Sequence, residues 1–201
     1  MKKATLFVAA MAVAVTGAFP AAAMQYNPGL QTRYDINGNA VEGPGVTYFA
    51  GRRGSKIRRE EVSYKGPYGP GTIIINTSER RLYHVLGNGR AMKYGIGVGR
   101  PGFQWSGKNR ISRKAEWPGW TPPPAMRRRQ PSLPAHMPGG PNNPLGARAL
   151  YIGSTIYRIH GSNEPWTMGQ AVSSGCIRMT NEDVTFLYEK VKVGAKVVVK
   201  H

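Results

Sequence analysis

Residues 160–181 read HGSNEPWTMGQAVSSGCIRMTN and hold the chain's one cysteine, Cys176, with His160 sixteen positions ahead of it. These residue types suit acyl transfer: a thiolate attacks a carbonyl, and an imidazole takes the thiol proton and returns it to the leaving group. A free thiol with a pKa of about 8.5 is mostly protonated at neutral pH, so the site needs groups that favour ionisation. His160 and Arg178 are the candidates. Gly175 has no side chain and would let a substrate carbonyl approach, with the backbone N–H groups of Gly175 and Cys176 as donors to the oxyanion.

Two other readings compete. A lone cysteine is often a small buried hydrophobe, but a core strand would carry Val or Ile where this stretch has Ser173, Ser174, Gly175 and Arg178. Zinc binding finds no CxxC or HExxH spacing, and of the four histidines only His160 stands in a plausible relation to Cys176. No metal and no cofactor is therefore expected.

The elements that must position these residues are mostly strands. Thr72 to Asn76 is rich in Ile, Leu82 to Leu86 returns after the NTSER turn, and residues 92–98 alternate, with Met92, Tyr94, Ile96 and Val98 on one side. Leu150 to Gly153 and Thr155 to Ile159 read as a hairpin that leaves His160 at a strand end. Past Cys176, Asn181 is a good N-cap, and Thr180 with Asp183 has capping-box spacing. Val184, Leu187, Tyr188 and Val191 at i, i+3, i+4 and i+7 predict an amphipathic helix, and Ala195 to Val199 a final strand. Residues 100–147 are rich in Pro and Gly and are expected to be irregular, a lid or substrate wall in which Trp105, Trp117 and Trp120 could line the cleft. His136 in that loop is a weaker candidate for a second imidazole. His84, inside a strand, is expected to be structural.

The series His160-Gly161, then Ser173-Ser174-Gly175-Cys176-Ile177-Arg178, then Asn181, resembles the catalytic motif of the YkuD-type L,D-transpeptidases. The similarity extends upstream through GTIIINTSERRLYHV from residue 71 and GGPNNPLGARALYIG from residue 139. It implies a mainly β catalytic domain over residues 71–201, a β-sandwich or mixed β domain with one amphipathic helix after the cysteine and long Pro/Gly-rich active-site loops. It also implies that Cys176 attacks a peptidoglycan tetrapeptide stem and expels the terminal D-alanine. An amine then resolves the acyl-enzyme, either cross-linking stem peptides or attaching an envelope protein to the wall. In this family's manner a carbonyl or hydroxyl from Gly161 or Ser162 would orient His160. Arg178 would position a substrate carboxylate or hold the cysteine loop, with Ser173, Ser174 and Asn181 in substrate-binding or loop-ordering roles. The same residues would serve an L,D-carboxypeptidase or endopeptidase with water as acceptor; a noncatalytic basic wall-binding protein is the remaining alternative.

At the N-terminus, Lys2 and Lys3 precede an apolar run from Ala4 to Ala18, then Pro20 and Ala21-Ala22-Ala23. Residues 1–23 are thus expected to be a secretory signal peptide, with no membrane span after its cleavage. Residues 24–70 are expected to be a flexible basic leader. Cleavage would remove two lysines and no acids, taking the net charge from +18 to 18 − 2 = +16. An exported, periplasmic or wall-associated protein of this charge would meet cell-wall carboxylates and anionic headgroups. Nucleic acid is not an expected partner, since no recognition pattern accompanies the charge. Nothing in the sequence sets an oligomeric state.

Overall fold

The computed structural model describes residues 55–201, together with the backbone of β1 (Arg33–Tyr34) and β2 (Ala40–Glu42), an antiparallel pair. The expected signal peptide and most of the expected leader lie outside the described residues. The elements that follow are β3 (Glu60–Ser63), β4 (Ile73–Asn76), β5 (Arg81–Gly87), β6 (Arg90–Gly95), β7 (Val98–Gly99), β8 (Gly107–Glu116) and α1 (Pro124–Arg129). Then come β9 (Arg148–Ile152), β10 (Arg158–His160), β11 (Ala171–Ser173), β12 (Ile177–Arg178), α2 (Asn181–Lys190) and β13 (Lys196–Lys200).

Nine of these strands form one curled mixed sheet in the order β12-β10-β9-β8-β13-β4-β5-β6-β3. Its middle is the parallel pair β4 and β13, in register from Ile73 against Val197 to Asn76 against Lys200. Both read as continuous apolar runs because parallel strands at the centre of a sheet are covered on both faces. Ile73, Ile74 and Ile75 are buried, as are Val197, Val198 and Val199. The apolar stripe of α2 packs on β9 and β10. Val184 and Leu187 are fully buried in the same core as Leu150, Ile159 and Ile177, and burial of each such side chain stabilises by about 1.5–3 kcal/mol.

Three departures from the sequence expectations matter for the site. The helix N-cap is Thr180, whose hydroxyl accepts the Asp183 N–H at 3.1 Å; Asn181 is the first helical residue instead of the cap. The region expected to be irregular contains the ten-residue strand β8, paired with both β13 and β9. Its sequence GKNRISRKAE hides this because Ile111 is its one buried residue. Lys114 lies along the sheet and donates to the carbonyls of Tyr188 at 2.6 Å and Val191 at 2.9 Å, which satisfies the C-terminal end of α2.

The third departure concerns the leader expected over residues 24–70, since the ordered sheet begins before residue 71. β3 pairs antiparallel with β6 as an edge strand, three of its four residues are exposed, and Glu60 and Glu61 pair with Lys93 and Arg90 at 2.9 and 2.6 Å. A charged edge strand carries no apolar alternation to read. Just before it, Arg59 pairs with Glu182 at 2.8 Å and Asp183 at 3.0 Å and lies 4.4 Å from the centre of the Phe186 ring, tying this segment to the start of α2.

Candidate functional site

β10 and β12 are parallel neighbours, with Ile159 opposite Ile177 and His160 opposite Arg178. Both isoleucines point into the core. Side chains alternate along a strand, so the residues flanking them belong to the other face: Arg158 and His160 from one strand, Cys176 and Arg178 from the other. The gap of sixteen residues between histidine and cysteine is closed by this one pairing. The Met179 N–H donates to the His160 carbonyl at 2.8 Å and extends it.

His160 is buried, and its Nδ1 lies 2.6 Å from the Gly161 carbonyl. A carbonyl only accepts, so Nδ1 carries the proton and Nε2 keeps its lone pair. Burial pulls the imidazole pKa down to about 3; the Gly161 carbonyl opposes this, and the charges of Arg178 and Arg158 add to it. The ring is therefore neutral at physiological pH. Of the two groups expected to orient it, the Gly161 carbonyl makes the contact. The hydroxyl of Ser162 turns away and accepts the Glu164 N–H at 2.9 Å.

Cys176 is half-buried, and its thiol points to the Ile156 carbonyl at 3.9 Å. Burial pushes the thiol pKa up, against the pull of the Arg158 backbone N–H, the Arg158 guanidinium and Arg178. Desolvation is the larger effect on both partners, so the resting pair is a neutral thiol and a neutral imidazole. The sequence reading had expected His160 and Arg178 to favour a standing thiolate; burial of the strip overrides them.

The loop that carries the thiol is internally braced. The Ser173 hydroxyl donates to the Cys176 carbonyl at 2.6 Å and accepts the Gly175 N–H at 3.1 Å. Trp105 donates its indole N–H to the Gly175 carbonyl at 2.9 Å and stacks on Tyr157 with ring centroids 4.5 Å apart. Gly175 has φ +105°, and a Cβ there would collide with the Tyr157 ring and come within 3.1 Å of the Phe103 carbonyl. This corrects two expectations for Gly175. The space beside it is filled by protein instead of being open to a substrate, and its N–H is engaged by Ser173. The Cys176 N–H has no partner among the described residues. Ser174 is half-buried, and its side chain has no hydrogen bond among the described residues.

Arg178 meets Glu164 at 2.9 Å, and its backbone exchanges two hydrogen bonds of 2.9 Å with Gly97. The pairing of β7 with β11 places residues 97–99 beside the same loop. Asn181 accepts the N–H groups of Ala147 at 2.9 Å and Ser162 at 3.2 Å through its side-chain oxygen. His136 lies within the 117–147 loop, its Nδ1 at 3.1 Å from the Thr121 hydroxyl, and Trp120 pairs with Met137 across that loop. Among the described residues no group of three or more His, Cys, Asp or Glu could hold a metal ion.

A model of the L,D-transpeptidase catalytic domain, YkuD, matches residues 70–199. The chain belongs to this family. It is 36% identical over 184 residues to the probable L,D-transpeptidase ErfK/SrfK of Escherichia coli K12, covering 87% of this chain and 56% of that protein. It is 37% identical over 184 residues to the probable L,D-transpeptidase YbiS of the same strain, covering 87% and 57%. The chain thus spans somewhat over half the length of the curated relatives it matches. A solved Brucella melitensis protein described as a probable carnitine operon oxidoreductase is 46% identical, with a TM-score of 0.50, over 72% of this chain and 94% of that one.

Four residues of this YkuD domain that touch the site escaped the sequence reading: Arg158, Glu164, Tyr157 and Phe103. Arg158 precedes His160 by two, and strand alternation alone would have put both on one face. Glu164, Tyr157 and Phe103 had no such signal, because each reaches the site through contacts with a segment distant in sequence.

Proposed function

We propose that this chain is an L,D-transpeptidase acting outside the cytoplasm on peptidoglycan tetrapeptide stems, with Cys176 as nucleophile and His160 as base and then acid. The observation that carries the reading is the 2.6 Å contact from His160 Nδ1 to the Gly161 carbonyl. It leaves Nε2 free to accept, on the strip that also bears the thiol. As Sγ bonds to the carbonyl carbon, its proton passes to Nε2, so neither ion forms alone in a desolvated strip. The Cys176 N–H is the donor left for the resulting oxyanion. The C–N bond then breaks, the departing D-alanine nitrogen takes the proton from the imidazole, and a thioester remains. An amine attacks the thioester, gives its proton to Nε2, and the thiol is restored as the imidazole returns that proton to sulfur.

Arg178 supports the same reading as a cation beside the thiol for a stem carboxylate, held by Glu164. The family match and the relatives' names support the substrate class, and the expected signal peptide supports export. The test is mass spectrometry of muropeptides after incubation of the protein with tetrapeptide-bearing peptidoglycan. The expected products are D-alanine and cross-linked or amine-substituted stems, lost in Cys176→Ser. Free tripeptide without substitution would mark a hydrolase; unchanged products in Cys176→Ser would remove the thiol from the reaction.

A further inference from the structure

Asn181 is left without a role by acyl transfer, and it does not cap the helix it begins. Its Oδ1 accepts two backbone N–H groups, from Ala147 and from Ser162. The second belongs to the peptide group whose other half is the Gly161 carbonyl. That unit is planar and trans, so its N–H and its C=O point in opposite directions and cannot be turned independently. Holding the Ser162 N–H therefore aims the Gly161 carbonyl, and that carbonyl accepts the His160 Nδ1 proton. Hydrogen bonding at the N–H also polarises the carbonyl and strengthens it as an acceptor.

The surroundings are shaped to admit this oxygen. A Cβ on either Gly146 or Gly161 would collide with Asn181 Oδ1, and Gly146 has φ +62°, a left-handed conformation that favours glycine. The glycine of the His160-Gly161 pair is thus demanded by a side chain twenty residues further on, at the start of α2.

We propose that Asn181 is a positioning residue for His160: through the Gly161–Ser162 peptide group it holds the imidazole as the Nδ1–H tautomer and keeps Nε2 basic toward Cys176. The importance of this for turnover rests on the transpeptidase reading, but the tautomer does not. The experiment is nitrogen NMR of histidine-labelled protein, with the His160 signals assigned by their loss in His160→Gln, alongside thermal unfolding and D-alanine release. The wild-type ring is expected as a single Nδ1–H tautomer. Asn181→Ala is expected to mix the tautomers and to slow release by about tenfold or more at little change in KM. Asn181→Asp, which keeps an acceptor at the same place, is expected to retain the wild-type tautomer. Should the alanine variant fail to fold, Asn181→Gln sets the oxygen one methylene further out, where it cannot span both N–H groups, and gives the same readouts. An unmixed Nδ1–H ring in Asn181→Ala, or in Asn181→Gln where that stands in, overturns the proposal even if the melting temperature falls. A wild-type protein that releases no D-alanine would refute the transpeptidase reading and leave the tautomer result standing.

Discussion

Acidification should destabilise this protein through His160, and the size of the effect follows from its burial. The imidazole titrates near 6.5 in the unfolded chain and at about 3 in the folded one. Because the folded-state value is depressed for a base, the unfolded chain binds more protons than the folded one between the two values. The stability is fully present above about pH 7.5 and is lost as pH falls through 6.5 toward 3. At pH 5 the unfolded ring is almost wholly charged while the folded ring stays neutral, a loss of about 2 kcal/mol relative to pH 7.5. The groups facing the ring are the Gly161 carbonyl, Arg178 and Arg158. None of them titrates in this window.

Other residues titrate across the same range. His84 is buried with both ring nitrogens unpartnered, and burial depresses it too. Burial pushes the Asp183 carboxyl up, against the pull of Arg59. These contributions are shared by wild type and His160→Gln, whose amide can still donate to Gly161, so they cancel in the comparison. The assay is urea unfolding of both proteins at pH 7.5 and 5.0. The wild type should lose about 2 kcal/mol more than the variant on acidification. Equal losses would refute the neutral, desolvated imidazole on which the site description depends.

Two further outcomes follow from the cysteine loop. Gly175→Ala forces a side chain into a left-handed conformation against Tyr157 and Phe103, and should cost about 1–3 kcal/mol in denaturant unfolding; a variant as stable as wild type would mean that the loop is not held by these contacts. Arg158→Ala removes a cation that pulls the thiol pKa down, so alkylation of Cys176 by iodoacetamide should move to higher pH and slow several-fold near neutrality. An unchanged alkylation profile would show that the guanidinium does not act on the sulfur.

Much of the chain was legible in one dimension. Cys176, His160 and the Gly161 carbonyl are local features: a residue type, a strand end and the next peptide group. The β4 and β13 runs and the α2 stripe declare themselves because periodicity reports which side of an element is buried, one element at a time. Pairing between distant segments leaves no such trace. Parallel alignment of β10 with β12 decided that Arg158 joins the site, and it gathered enough protein around His160 to make both reacting groups neutral at rest. The polar strands β3 and β8 were invisible because their places come from backbone hydrogen bonds to neighbours, which any side chain permits. The Gly175 N–H looked available until the Ser173 hydroxyl closed on it, and Asn181 looked like a helix cap until the chain brought Ala147 and Ser162 to its oxygen. Residue type and period set what each element buries; contacts across the sheet decide which hydrogen-bonding groups are left for chemistry.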